Sequence, residues 1–330
     1  MRRREFISLV GGAAAWPVVA RAQQPERMRR IGTLTNAEAS DPEWMRQIAA
    51  FLEQLKAAGW VEGRNVSLDY RFAAGDANRM SAAAKELVGL KPDVILARST
   101  PVVKALAPET RTIPIVFVSV SDPVGENFAA SMARPSGNIT GLTNVEASMG
   151  GKWLELLKEV STGIRRATVL FNPKVAPAGG LFYLRTIEAA AASFGVALTP
   201  VPVFTVAEIE AAVTALAREL DSGLIVMPDP FIVPNRELII ASAARHRVPA
   251  VYGFRNMAVE GGLMSYGVDL VDLYRRSADY VDRILKGVQP SELPIQAPTR
   301  FELVVNLKTA KAMGLNIPES FLVRADEVIE

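Results

Sequence analysis

The 330-residue chain has no cysteine and a single histidine, His246. Without thiolates there is no disulfide, iron-sulfur ligation, cysteine nucleophile or lipid-modified cysteine. One histidine cannot assemble the usual nitrogen and sulfur donors of a zinc site. In Ala244-Arg245-His246-Arg247, at a predicted helix end, it reads as a cation favoured by the helix dipole. The sequence also lacks a nucleophile elbow and a dinucleotide fingerprint, and Gly150-Gly151-Lys152 runs into Trp153 where a phosphate loop needs Ser or Thr. No catalytic residue, metal or cofactor is therefore expected. Stability has to come from packed apolar cores, and 49% of the residues are hydrophobic.

Long apolar runs are missing as well. The stretch from Ile7 to Ala20 is interrupted by Gly11, Gly12 and Pro17, too short for the ~20-residue helix that spans a bilayer. Arg3-Arg4-Glu5-Phe6-Ile7 before it and Ala20-Arg21-Ala22 after it read as a cleavable export signal over residues 1–22 that resembles the twin-arginine type, although the ordinary secretory route also accepts a basic start; a periplasmic location is expected by either route. Cleavage after Ala22 changes the formal charge from +2 to −1. The basic balance thus belongs to the signal, so neither nucleic acid nor an anionic membrane is an expected partner. The remaining 308 residues suit two lobes of roughly 150 each.

From Arg30 onward, short apolar runs alternate with segments of helical period. Ile31 to Leu34, Val66 to Phe72, Val94 to Ala97 and Ile115 to Val118 read as strands, while Ile48, Phe51, Leu52 and Leu55 lie on one helix face. The same alternation returns after residue 150. There is also an internal echo: Lys91-Pro92-Asp93-Val94-Ile95-Leu96 leads to Ile113-Pro114-Ile115-Val116-Phe117 as Asp221-Ser222-Gly223-Leu224-Ile225-Val226 leads to Val248-Pro249-Ala250-Val251-Tyr252. The pattern implies an α/β fold of two doubly wound, flavodoxin-like parallel sheets covered by helices.

Ligands of open parallel sheets bind beyond the carboxyl ends of the strands. The residues there are polar: Asn36, then Ser99 and Thr100, then Ser119, Ser121 and Asp122 in the first half, and Asn172, Asp229, Tyr252 and Arg255 in the second. If the halves face each other, these sets meet in one cleft.

Several blocks in order resemble the extracytoplasmic substrate-binding proteins of ABC importers, in the group that includes tryptophan and tyrosine binders. They are Gly59-Trp60-Val61-Glu62-Gly63-Arg64-Asn65-Val66, Lys91-Pro92-Asp93-Val94-Ile95, Ile113-Pro114-Ile115-Val116-Phe117, Asp122-Pro123-Val124-Gly125, Arg134-Pro135-Ser136-Gly137-Asn138-Ile139-Thr140-Gly141, Ile284-Leu285-Lys286-Gly287 and Glu302-Leu303-Val304-Val305-Asn306-Leu307-Lys308-Thr309-Ala310. The resemblance implies a type I periplasmic binding protein whose two lobes, joined by three crossings, close on a solute like a hinged clamp. Crossings are expected near residues 141–144, 262–267 and 298–305, dividing the chain into lobe 1 (23–142 plus 262–298) and lobe 2 (143–261 plus 299–330). A helix from Asp269 to Leu285 then returns to lobe 1. Glycines at two crossings suit a hinge. The implied partners are a small solute and an inner-membrane permease, and the protein is expected to act as a monomer.

An α-amino acid ligand needs a carboxylate for its ammonium and donors for its carboxylate. Asp122, Asp229 and Asp269 are candidates for the first role, although Asp122 can equally organise its turn. Ser99, Thr100, Ser119 and Ser121 are candidates for the second, particularly if Pro101 opens a helix behind them; alternatively they are helix caps. Asn36, Asn144 and Asn172 complete the expected set. Tyr252 and Phe231 either wall the ligand or belong to the core, and Trp44 and Trp60 are assigned to packing. Arg98 stands where the resembling proteins usually carry a small or apolar residue. Both it and Arg255 would favour an organic acid over an amino acid. A sensing module for a membrane receptor is the main alternative to transport. An exported enzyme is a weaker one, because no spacing recommends a carboxylate pair among Asp122, Asp229 and Asp269.

Overall fold

A computed structural model of the chain describes residues 27–330, with Ser136 and Leu220 left out. The export signal expected at residues 1–22 lies outside the described residues. No helix among the described residues is long and apolar enough to cross a membrane.

The first sheet contains β1 (Arg29–Thr35), β2 (Val66–Phe72), β3 (Val94–Arg98), β4 (Ile115–Val120) and β5 (Ile139–Thr143), all parallel, in the order β2-β1-β3-β4-β5. Strand alternation separates its two faces. Ile31, Val94, Leu96, Val116 and Val118 pack with Trp44, Ile48, Phe51 and Leu55 of α1 (Pro42–Ala57). Leu34, Ile95, Ala97, Ile115 and Phe117 pack with α2 (Ala77–Gly89) and α3 (Thr100–Leu106) on the other face. Asp41 starts α1 by accepting the Glu43 and Trp44 N–H groups, with Pro42 in the first turn where its missing donor costs nothing.

The second sheet has seven strands: β6 (Arg166–Phe171), β7 (Ala197–Pro202), β8 (Ser222–Val226), β9 (Ala250–Tyr252), β10 (Met264–Val268), β11 (Phe301–Asn306) and β12 (Glu327–Ile329). Their order is β12-β11-β10-β9-β8-β6-β7, parallel throughout except between β10 and β11. The helices α4 (Ser148–Val160), α5 (Leu181–Phe194), α6 (Val206–Leu216), α7 (Arg236–Arg245) and α8 (Arg255–Val259) belong to this lobe, and α10 (Leu307–Met313) and α11 (Glu319–Leu322) follow β11. The internal echo is structural: β3 and β4 pair as β8 and β9 do. In each pair a proline carbonyl at the strand start accepts a bond of 2.8 Å, Pro114 from Ile95 N–H and Pro249 from Leu224 N–H.

Between β10 and β11 the chain forms α9 (Leu270–Leu285), which packs on α1 of the first lobe through Leu273, Tyr274, Ala278 and Val281. Trp60 Nε1–H donates to Asp282 at 2.8 Å and Gln54 Nε2–H to Asp279 at 2.9 Å, which fixes the two helices side by side. This is the helix expected over 269–285, with Asp269 as its cap, accepting the Asp272 N–H at 2.9 Å. The second crossing lies later than expected. Residues 264–268 are strand β10, whose backbone is paired on both sides with β9 and β11, so 262–268 sit with the second lobe and the chain crosses at Asp269.

The crossing glycines also have a different reason from the one expected. Gly141 lies inside β5 at φ 153°, and a Cβ there would stand 2.1 Å from the Phe117 carbonyl oxygen. At Gly267, inside β10, the Gly253 oxygen would be 2.1 Å away. Close strand approach, and not hinge freedom, requires glycine at both. Gly141→Ala is expected to cost about 3 kcal/mol of stability, because backbone on β4 has to move. Urea denaturation checks this.

Candidate ligand-binding site

The carboxyl edge of the first sheet brings together six of the expected residues. Leu34 lies opposite Ala97, Arg98 opposite Val118 and Val120 opposite Thr143, so Asn36, Ser99, Ser121 and Asn144 leave neighbouring strands along one row. A bulge between Val118 and Val120 turns Ser119 to φ 64°, and Ser99 beside it adopts φ 84°. Two non-glycine residues in the left-handed region cost about 1–3 kcal/mol each, and such outliers concentrate where ligands are held. Ser99 N–H donates to the Val118 carbonyl at 2.9 Å, and two residues past the bulge Ser121 N–H donates to Thr100 Oγ1 at 3.3 Å. Ser121 Oγ in turn donates to Asn144 Oδ1 at 3.2 Å.

The capping alternative does not hold for Ser99, whose side chain makes no cap bond to the seven-residue α3. Instead Ser99 Oγ and Asn36 Oδ1 are buried without a protein partner. Unsatisfied buried polar atoms cost about 1–3 kcal/mol each.

The second lobe departs from expectation. Asp229 is 1% exposed, and both oxygens are engaged: Oδ1 accepts Phe231 and Ile232 N–H, and Oδ2 accepts Asn172 N–H, each at 2.8 Å. It builds the turn after β8 and is not an open carboxylate for an ammonium group. Burial pushes its carboxyl above the usual range, against the opposing pull of the three N–H donors. Asn172 joins the same turn, its Oδ1 accepting Lys174 N–H at 2.9 Å. Tyr252 is a core residue with Leu170, Val226 and Met257, not a cleft wall, and burial raises its phenol. Asp122 is the turn organiser, accepting Gly125 N–H at 2.8 Å. Asp269 caps α9 at the crossing, accepting the Asp272 N–H. Trp44 packs edge-on against Phe72 and Tyr70, as assigned.

Arg255 is committed too. Its Nε and NH2 donate to Glu327 at 2.8 Å in a two-pronged pair, while NH1 bonds Glu43 of α1. Since α1 belongs to the first lobe and α8 to the second, this ion pair spans the lobes. Glu302 lies near it on β11, where burial and the Asp269 charge push its carboxyl up to about 7, opposed by Arg46 and Arg255. Sequence reasoning missed this cluster, since residues 43, 255, 302 and 327 share no local spacing.

Two open α/β sheets joined by three crossings are the architecture of type I periplasmic binding proteins. The sequence model for ABC transporter substrate binding proteins matches residues 38–329, and the chain belongs to that family. It is 24% identical over 265 residues to a tyrosine-binding protein of Clostridioides difficile, covering 80% of this chain and 75% of the relative. A conserved domain protein of Vibrio cholerae matches with a TM-score of 0.79 at 29% identity, over 92% of this chain and 100% of that one. An ABC domain from Streptococcus pneumonia, solved with L-Trp, has the same TM-score of 0.79 at 24% identity, over 91% of this chain and 99% of that one.

Two outcomes follow from these side chains. Asp229→Ala leaves three backbone donors unpaired and should lower stability by roughly 3 kcal/mol, read by denaturant titration. Glu302, raised in the folded state, binds its proton more tightly there than when unfolded, so its contribution falls as pH rises from about 4.5 to 7. Glu302→Gln should therefore raise the melting temperature at pH 8 and leave it nearly unchanged at pH 4.5.

Proposed function

We propose that the protein is the periplasmic solute-binding component of an ABC importer. It takes a small organic solute, an aromatic amino acid or a related aromatic or carboxylate compound, between the lobes and hands it to the permease after hinge closure. The observation that carries this reading is the strand-end unit of Ser99, Thr100, Ser121 and Asn144, with the unpartnered Ser99 Oγ and Asn36 Oδ1 beside it. Ser119 shapes the row through its bulge. These residues hold the ligand on the first lobe, and the second lobe closes over it, shifting the population toward a closed form. No bond is made or broken. Export through the signal at residues 1–22 and action as a monomer belong to the same reading. The relatives that bind tyrosine and tryptophan support the aromatic class, and the family's general role supports a permease as partner.

The test is a thermal-shift screen of the purified protein against aromatic amino acids, aromatic acids, branched amino acids, purines and sugars. Ligand at 100 times its dissociation constant stabilises the native state by about 2.7 kcal/mol. A selective shift for aromatic compounds, lost by about tenfold or more in affinity in Asn144→Ala, is the expected result. Recovery of chemically altered ligand after incubation would overturn it in favour of an enzyme.

A further inference from the structure

We propose that Arg98 anchors a carboxylate of the solute, so that the site selects organic acids and does not require an amino group. The inference rests on the solute-binding reading above and narrows its ligand class.

Arg98 closes β3 at the carboxyl edge, half-buried, and among the described residues its guanidinium has neither a hydrogen bond nor an ion pair. That sets it apart from Arg255, the arginine after β9 of the second sheet, which Glu43 and Glu327 neutralise. Strand alternation puts Arg98 on the face of Val94 and Leu96, the face that also carries Thr33 of β1. Thr33 Oγ1 is buried without a partner there, as are Ser99 Oγ and Asn36 Oδ1 at the adjoining strand ends. An unneutralised cation thus stands among unpartnered polar groups in the row that already carries the site.

A guanidinium in partial burial calls for a planar anion that meets its parallel donors. The described residues supply none within ion-pair distance. Asp41, whose charge opposes that of Arg98 at the buried Tyr274 hydroxyl, caps α1 through Oδ1 and makes no ion pair with Arg98 among the described residues. Asp229 and Asp122 are held by backbone donors of their own turns, and Asp269 by the start of α9. Of these three, Asp229 has both oxygens engaged, while Asp122 and Asp269 each spend Oδ1 on their own turn or helix start, so none is dedicated to a ligand ammonium. A phosphate dianion would ask for a second cation, and the next one along the chain, Lys104, is paired with Glu126 at 2.7 Å.

Calorimetry on the purified protein decides the matter with five probes: indole-3-acetate, L-tryptophan, tryptamine, isovalerate and ribose. The expected result is that indole-3-acetate and L-tryptophan both bind, that tryptamine, isovalerate and ribose do not, and that Arg98→Met weakens carboxylate binding roughly 30-fold or more. Arg98→Lys should recover part of the loss, because it keeps the charge and loses the fork. The melting temperature of each unliganded variant shows that it is folded, and Arg98→Gln carries the test if the methionine variant is not. Undiminished carboxylate binding by Arg98→Met, equal binding of tryptamine and indole-3-acetate, or no carboxylate binding at all overturns the inference. Binding of tryptamine or ribose alone would do so while leaving the solute-binding reading intact, and binding of isovalerate alone would keep the Arg98 role and remove the aromatic class.

Discussion

The packing of α9 on the first lobe is the constraint from which the rest of the architecture follows. Its neighbours in sequence, β10 and β11, pair with each other in the second sheet, yet its apolar face is buried against α1 and the first sheet. Each large side chain buried there contributes about 1.5–3 kcal/mol, so the chain is held to leave the second lobe and come back. That excursion creates the second and third crossings and brings them beside the first. Thr143 N–H donates to Gln296 at 2.9 Å, Gln296 N–H to Gly141 at 3.1 Å, and Asp269 N–H to Arg300 at 3.1 Å. A neck made of three short adjoining strand ends suits relative motion of two otherwise rigid lobes.

The two carboxyl edges have opposite polar economies. In the second lobe the turn after β8 satisfies itself, with Asp229 collecting three main-chain donors and Asn172 completing the loop. In the first lobe, Ser99 and Ser119 adopt left-handed conformations, Ser99 bonded through its N–H to Val118, while among the described residues the Ser99 hydroxyl and the Asn36 side-chain oxygen have no partner. Preorganised polar groups whose bonds are not yet made lower the ordering cost of any polar group that meets them.

Charge is distributed along the interlobe contact with the same economy. Arg255 bridges Glu327 of its own lobe and Glu43 of the other, and Glu302 beside them is desolvated enough to titrate near neutrality.

The sequence by itself determined the α/β alternation, the two halves and their echo, the helix over 270–285, and the row of polar residues after the first-sheet strands. Each is written in local period and punctuation, which neighbouring residues suffice to specify. Only the tertiary structure decided that residues 264–268 belong to the second sheet, that Tyr252 is core, that Asp229 serves its own turn, and that Arg255 is neutralised while Arg98 is not. A strand run reads the same whichever sheet pairs it, and a carboxylate or guanidinium reads the same whether its partner is the chain or a ligand. Those outcomes depend on groups tens to hundreds of residues away, brought into contact when the lobes fold and the three crossings align.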